Sequence, residues 1–428
     1  MQKIKKRCIT IIALLLCIML VILAAGAIYC KYGGFSTGQS ANAEEFEKYA
    51  KSVSEITVPG QAKIIALGEA THGNAEFQQL RLDVFKIAVE KFGVRAFALE
   101  ADFGGCRAVN DYVHDGSGTA GEAVSALGFD IYQTQQTEDL VKWIRDFNKA
   151  VTDGRDIRFY GLDVQKYAYS YEYLIKTLKE LGADISKLEE LWDGDSKSYA
   201  RAYTSDQRSA IIKEAKEGIK DISGQKADLA RQFADVLLQN IELGKHMGDG
   251  GGFNACRDKF MAQNARWIYE RERQRGNVRL FVSGHNNHIR RSENQGEKVM
   301  GSILFENFGD GYFAIGTDFY RSECNLKSGI GIARKIHTFY SRDPLAKASK
   351  QCGYAQSYLD FSDIPLTSPL DSDISSEMTA GSLGDVYNGL YMNFLPSSYR
   401  MKIVPKSTYN GMIFVSSATP TTINFRVG

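Results

Sequence analysis

The chain has no charge excess: 52 Lys and Arg stand against 51 Asp and Glu, for a formal charge of +1 over 428 residues. Four of the positive charges fall in the first seven residues, which leaves the remainder near −3. A balance of this kind leaves nucleic acid without support as a partner. Cysteine is sparse and irregular. Cys30, Cys106, Cys256, Cys324 and Cys352 follow the first apolar segment, an odd number with no CxxC. They do not support a disulfide framework and read as buried or isolated thiols. No internal repeat is present. Histidine is scarce: His72, His114, His246, His285, His288 and His337 are all there are.

Three of those six lie in segments of one kind. IIALGEATHG (64–73), VRAFALEAD (94–102), IRFYGLD (157–163) and VRLFVSGHNNH (278–288) each run from an apolar stretch into a polar, titratable residue. The apolar part reads as a buried strand. Ligands of open α/β sheets bind outside the carboxyl ends of the strands. Glu69, His72, Glu100, Asp163, His285 and His288 are therefore expected to converge on one cleft, and an enzyme active site is the first reading.

The leading segment is a separate matter. Lys3, Lys5, Lys6 and Arg7 precede an apolar stretch from Ile9 to Tyr29, followed by Lys31. Its 21 residues would make a helix about 32 Å long, close to a bilayer core of roughly 30 Å. The basic flank places the N-terminus in the cytoplasm and the rest outside. Residues 1–30 are expected to be an uncleaved transmembrane anchor. The alternative is a signal segment, whose shorter apolar core and small-x-small site are matched in part by Ala25-Gly26-Ala27, giving a secreted protein. Residues 31–44, small and polar, read as a tether, and residues 45–428 as the catalytic domain.

Within that domain an amphipathic helix is expected near 44–54. Asn74 is a candidate N-cap for AEFQQLRLDVFKIAVEKF (75–92), whose apolar spacing is helical and which Gly93 ends. Strand, helix and VRAFALE make a β–α–β unit, expected to be parallel and right-handed. Further helices are expected near 104–114 and 135–150. Residues 165–248 carry heptad-like leucines and isoleucines and no convincing strand, and read as a helical insertion. GDGGGFN (248–254) ends it, and RDKFMAQNARWIYER (257–271) is a further helix. GYFAIGTDFY (311–320), GIGIARKIHTFY (329–340) and YNGMIFVSS (409–417) return to β character. The fold class is α/β, a central, largely parallel sheet with flanking helices and the helical insertion, preceded by the transmembrane helix.

The chemistry centres on two clusters. Gly68 and Gly73 allow sharp turns around Glu69 and His72, where a histidine can act as general base and a carboxylate can fix its tautomer. Arg81, about two turns into the following helix, can reach back to a carboxylate or an oxyanion. Glu100 ends a strand and is either paired or raised in pKa. Asp163 ends the next; it is a candidate for substrate binding, with Asn286, or a simple helix cap. His285 and His288, three apart directly after a strand, are hard to explain as core packing. No HExxH helix is present. The expectation is acid/base chemistry without a cofactor. A divalent metal held by the same residues is the alternative, since spacing does not decide between them. A binding protein for an envelope polysaccharide or a large apolar ligand would need the cleft but not both histidine clusters.

GEATHGNAEFQQLR, ALEAD, FYGLD, RDKFMAQNARW and GHNNH resemble the ordered motifs of the erythromycin esterase family, and YNGMIFVSS its closing strand. The similarity covers roughly residues 60–420. It implies an α/β core with a deep cleft and hydrolysis of a macrolide lactone ester by water, without a covalent acyl-enzyme. The family's base histidine falls on His72, its partner glutamate on Glu69 and its arginine on Arg81. Its second glutamate falls on Glu100 and its later pair on His285 and His288. The absence of a Gly-x-Ser-x-Gly elbow agrees with that route. Macrolides act on ribosomes, so the family's resistance enzymes are expected in the cytoplasm. The leading segment sets this chain apart.

Overall fold

In a computed structural model, which describes residues 2–31, 41–194, 196–328, 333–341, 343–389, 392 and 399–424, the four apolar runs form adjacent parallel strands. They are β1 (Ile64–Glu69), β2 (Ala96–Asp102), β3 (Arg158–Asp163) and β4 (Leu280–His285). The sheet continues with β5 (Tyr312–Ser328), β6 (Arg334–Tyr340), β7 (Gln356–Asp360), β8 (Val386–Tyr387) and β9 (Gly411–Ala418). Across the sheet the order is β3-β2-β4-β1-β5-β9-β7, with β6 and β8 paired to β5. Pairing is parallel throughout except for β6 on β5 and β7 on β9.

These strands are apolar at successive positions because both faces are covered. Ile65, Leu67, Phe97, Leu99, Phe159 and Phe281 pack with α2 (Ala75–Phe92) and α4 (Gln135–Ala150). Ile64, Ala66, Ala98, Leu280 and Val282 pack on the other face with α8 (Gly250–Gln274) and α9 (Met300–Phe308). Between β3 and α8, helices α5 (Ala168–Glu180), α6 (Ser205–Glu217) and α7 (Gln225–Gly244) bury their own cluster, including Leu174, Leu178, Ile212, Phe233 and Leu237. That cluster reaches the sheet domain through Phe103, the first residue of α3 (Phe103–Asp115). At the N-terminus α1 (Gln2–Lys31) holds a stretch, Lys6–Tyr29, long and apolar enough to cross a membrane. None of its most apolar window is buried. A signal sequence passes the same test.

Several expectations change in detail. Asn74 stands at the N-cap of α2, but its amide donates instead to the Glu323 and Thr419 carbonyls, fastening the helix start to β5 and the chain's end. The helix expected near 44–54 stops at Tyr49, and a 3₁₀ turn follows at Val53–Glu55. The glycine run at 250–252 starts α8 rather than ending a segment: Asp249 caps it by accepting from the Gly252 N–H. A two-residue strand pair, Trp192–Asp193 with Ser198–Tyr199, interrupts the helical insertion. The strand expected at 311–320 runs on to Ser328, because its polar outer half finds partners in β6 and β8. The tether falls mostly on residues 32–40, and the start of GIGIARKIHTFY on 329–332; both lie outside the described residues.

Two glycines fix how closely the strand ends approach. Gly68 and Gly284 are neighbours in register on β1 and β4. A Cβ on Gly68 would stand 2.1 Å from Asn286 Oδ1, and one on Gly284 2.8 Å from Glu100 Oε2. Asn286 is held there by Thr317, to whose carbonyl it donates and whose N–H it accepts. Gly68→Ala is therefore expected to cost about 1–3 kcal/mol as overpacking, read by thermal unfolding. An unchanged melting temperature would show slack in the loop after β4.

Candidate active site

Register brings the polar strand ends together. Glu69 lies opposite His285 across β1 and β4, and Asp102 opposite Asp163 across β2 and β3, after an irregularity that follows Leu99. The chain leaves β1 for β2 on one side and leaves β4 for β5 on the other. A crevice between strands whose connections diverge is the ligand position of α/β sheets. Here it is a cleft of about 400 Å³ lined by His72, Glu100, Asp163, Arg257, His285 and His288, with Tyr132, Lys166 and Lys327 also on its walls. A larger groove lies among the insertion helices, but it collects none of these groups.

The Glu69–His72 side of the cleft is local. His72 Nδ1 is 2.6 Å from Glu69 Oε1. Arg81 Nη2 donates to the other oxygen at 2.8 Å, and its Nε to Ser283 Oγ at 3.2 Å. Arg81 is only 2 % exposed and lies 5.2 Å over the Tyr132 ring, so it is no surface arginine. Burial works to raise the Glu69 pKa, but Arg81 and His72 outweigh it and hold the carboxylate below its usual value. Burial works to lower the His72 pKa, and the Glu69 carboxylate outweighs it, so His72 titrates above the ordinary imidazole value.

The opposite side is assembled over long range. Glu100 Oε2 accepts the His285 backbone N–H at 2.6 Å, and Oε1 accepts from Arg257 Nη2 at 2.7 Å. Arg257 also donates from Nη2 and Nε to the Asp163 carboxylate at 2.8 and 3.1 Å. Burial opposes ionisation of Glu100, but His288 and Arg257 keep it ionised far below its usual range. His288 Nδ1 is 2.7 Å from Asp258 Oδ1, which also accepts the Met300 N–H. Its Nε2 faces Arg257 Nη1 at 3.0 Å and Glu100 Oε1 at 3.3 Å. Burial lowers the His288 pKa, and Asp258 and Glu100 more than reverse this.

His285 differs from both other histidines. Its Nδ1 accepts from the Asn287 N–H at 3.4 Å, which leaves Nε2 as the protonated nitrogen, and Nε2 is buried without a partner. Burial, and then the charge of His72, push its pKa down to about 3. His285 is thus a neutral hydrogen-bond donor, its ring centroid 5.1 Å from that of His72. A carboxylate-backed imidazole, a neutral donor and fixed carboxylates can handle a proton and a developing oxyanion. Among the described residues no group of three or more His, Cys, Asp or Glu side chains is arranged to hold a metal ion. Arg257 already supplies the cation between Glu100 and Asp163.

Of the eight residues picked out from the sequence, His72, Glu100, Asp163, His285 and His288 line the cleft, with Glu69 and Arg81 directly behind His72. Asp163 is fully buried and spends its carboxylate on Arg257 and the Val164 and Gln165 N–H groups. Asn286 is also fully buried, with both amide ends taken by Thr317. Each side-chain polar atom of these two residues already has a partner within the protein. Sequence reading gave no role to Arg257, Asp258 or Tyr132. The available signal was the position of Arg257 and Asp258 on the same helical face as Met261, Ala265 and Ile268, charged residues on an apolar stripe.

The model of the erythromycin esterase family matches residues 89–418. A relative, erythromycin esterase type II from Escherichia coli, is 24% identical over 354 residues, 72% of this chain and 82% of that protein. A solved Bacillus cereus protein superposes with a TM-score of 0.73 at 21% identity, covering 90% of this chain and 98% of its own. A succinoglycan biosynthesis protein gives 0.69 at 17% identity over 89% and 98%. An erythromycin esterase mutant in its open conformation gives 0.58 at 16% identity over 88% and 94%. These structures share the fold; the match to the family model, over most of the chain's length, shows that the chain belongs to the erythromycin esterase family.

Proposed function

We propose that the protein hydrolyses a carboxylic ester with water activated by His72, without a covalent acyl-enzyme. The observation that carries this reading is the pairing of His72 Nδ1 with Glu69 at 2.6 Å beside the unpartnered Nε2 of His285. Glu69 takes the Nδ1 proton's hydrogen bond, so His72 Nε2 is the basic nitrogen. It accepts a proton from water as the water oxygen bonds to the acyl carbon. The carbonyl oxygen gains charge and receives the His285 Nε2–H. As the ester C–O bond breaks, the proton passes from His72 to the leaving alcohol. Arg81 holds Glu69, and Glu100 with Arg257 holds the backbone of His285 and the ring of His288. The cleft volume is at the lower end for small-molecule sites. A macrolide lactone is the substrate that the relatives' names suggest.

The same proposal has residues 9–29 as a membrane anchor with the domain outside the cytoplasm. Four basic residues before the apolar stretch against Lys31 after it support that orientation. Cleavage after Ala27 would instead give a secreted enzyme.

His72→Ala is expected to lower turnover of a confirmed ester by about 10²–10⁴ while the protein stays folded; near-normal turnover would remove His72 from the mechanism. The base must be neutral to act, and its pKa is raised. Activity is therefore expected to fall as pH drops through a value above about 6.5, the ordinary imidazole pKa. In Glu69→Gln, burial is no longer outweighed, so the acid limb should move to lower pH as well as the rate falling. A limb that stays in place would assign it to another group.

Combining His72→Ala with His285→Ala should cost little more than the worse single change, as for residues that act as a unit; multiplicative losses would mean independent roles. A reporter fused after Gly428 should be active only outside the cytoplasm, and a cytoplasmic signal would reverse the topology.

A further inference from the structure

The carboxyl-terminal third contains a second cavity that this hydrolysis does not use. It measures about 690 Å³, and Asn287, Arg290, Thr379, Ser382, Arg400 and Lys402 are among its walls. It adjoins the histidine loop. Asn287 donates its side-chain amide to Ser382 Oγ at 3.1 Å, while its backbone N–H reaches His285 Nδ1.

Two arginines set the character of this cavity. Arg290 is 5 % exposed and Arg400 7 %. A guanidinium keeps its charge at any working pH, and a buried charge without a counter-ion is costly. Arg290 donates only to neutral acceptors: Ser292 Oγ, Asn294 Oδ1 and, at 3.4 Å, the Lys402 carbonyl. Burial lowers its pKa, and no carboxylate opposes this. Arg400 donates to the Tyr340 carbonyl at 2.8 Å, and its Nε is buried without a partner.

The nearby acids are otherwise engaged. Asp318 accepts from the Phe319 and Gly381 N–H groups, and Asp343 from the Ser341 and Thr379 hydroxyls. Burial raises both carboxyls, Asp318 well above its usual value and Asp343 to about 6; Arg400 works against this in both, so it has these acids within electrostatic reach but not in ion-pair contact, while Arg290 has neither. Two carboxylates also line the cavity: Glu377, paired with Lys402 at 2.8 Å, and Glu293, which is exposed to solvent. Among the described residues neither arginine has an ion-pair partner. Arg400 and Lys402 alternate along one short strand and so face the same side, about 6–7 Å apart.

We propose that this cavity binds a phosphate-type oxyanion, with Arg290 and Arg400 as its ligands. The planar guanidinium fork suits such a group. The cavity is far larger than the bare ion, which leaves room for the organic part of a phosphate monoester.

The test is isothermal titration calorimetry of the full chain in detergent, in chloride buffer of constant ionic strength. The probes are inorganic phosphate and glycerol 3-phosphate. Saturable binding at one site is expected, weakened about tenfold or more in Arg290→Gln and in Arg400→Gln, as for loss of a charge-assisted hydrogen bond. Arg290→Lys should retain part of it. Equal affinity for the two probes would identify the free ion as the occupant, and tighter binding of glycerol 3-phosphate a monoester. Absence of saturable binding of either probe to the wild-type chain would overturn the proposal whether or not the variants fold. Wild-type affinity in both glutamine variants would also overturn it.

Discussion

The arrangement depends on one buried cation. Arg257 comes from α8, outside the sheet, and places its guanidinium between Glu100, near the end of β2, and Asp163, the last residue of β3. Glu100 and Asp163 are 5 % and 0 % exposed, and two carboxylates at such depth would repel each other and favour protonation. With Arg257 between them Glu100 stays ionised and can accept the His285 N–H. The position of His285, and the space between it and His72, follow from that contact. Removing one partner of a buried pair typically costs about 3–5 kcal/mol, because the other charge is left uncompensated. Here it would also release the loop after β4.

A second division of labour follows from environment rather than residue type. Three histidines share one cleft, and their neighbours separate them. His72 and His288 each have a carboxylate on Nδ1 and titrate upward. His285 has a backbone N–H there and titrates downward. The same imidazole thus gains proton affinity where a carboxylate backs it and loses it where a backbone amide does.

Much of the fold was legible from periodicity alone. Helices at 75–92 and 135–150 have the bounds their apolar spacing predicts. The four strands differ from expectation by one or two residues at their ends. What could not be read was set by partners far away in the chain. The outer half of β5 is polar and becomes a strand only against β6 and β8. Asn74 has a capping residue's identity, yet tertiary acceptors take its side chain. In the site, strand ends and loop glycines marked Glu69, His72, Glu100 and His285 because local chemistry is unusual there. Arg257 and Asp258 were hidden because a charged pair at a helix start looks solvated until the helix is docked. Asn286 sits in the most conspicuous motif, and its amide holds β5 instead.

The two sides of the cleft differ in how much chain each needs. Glu69 and Arg81 are 12 positions apart, within a single β–α unit. Glu100 meets Arg257 across 157 positions and His285 across 185. Loop-closure entropy grows with such separations, and distant contacts form late. During folding the Glu69–Arg81 pair can form while Glu100, Arg257 and His285 are still apart. The pairing of β4 with β1 and β2 spans just as much chain, so the two sides of the cleft face each other only once the middle of the sheet has closed, and the cleft reports that closure.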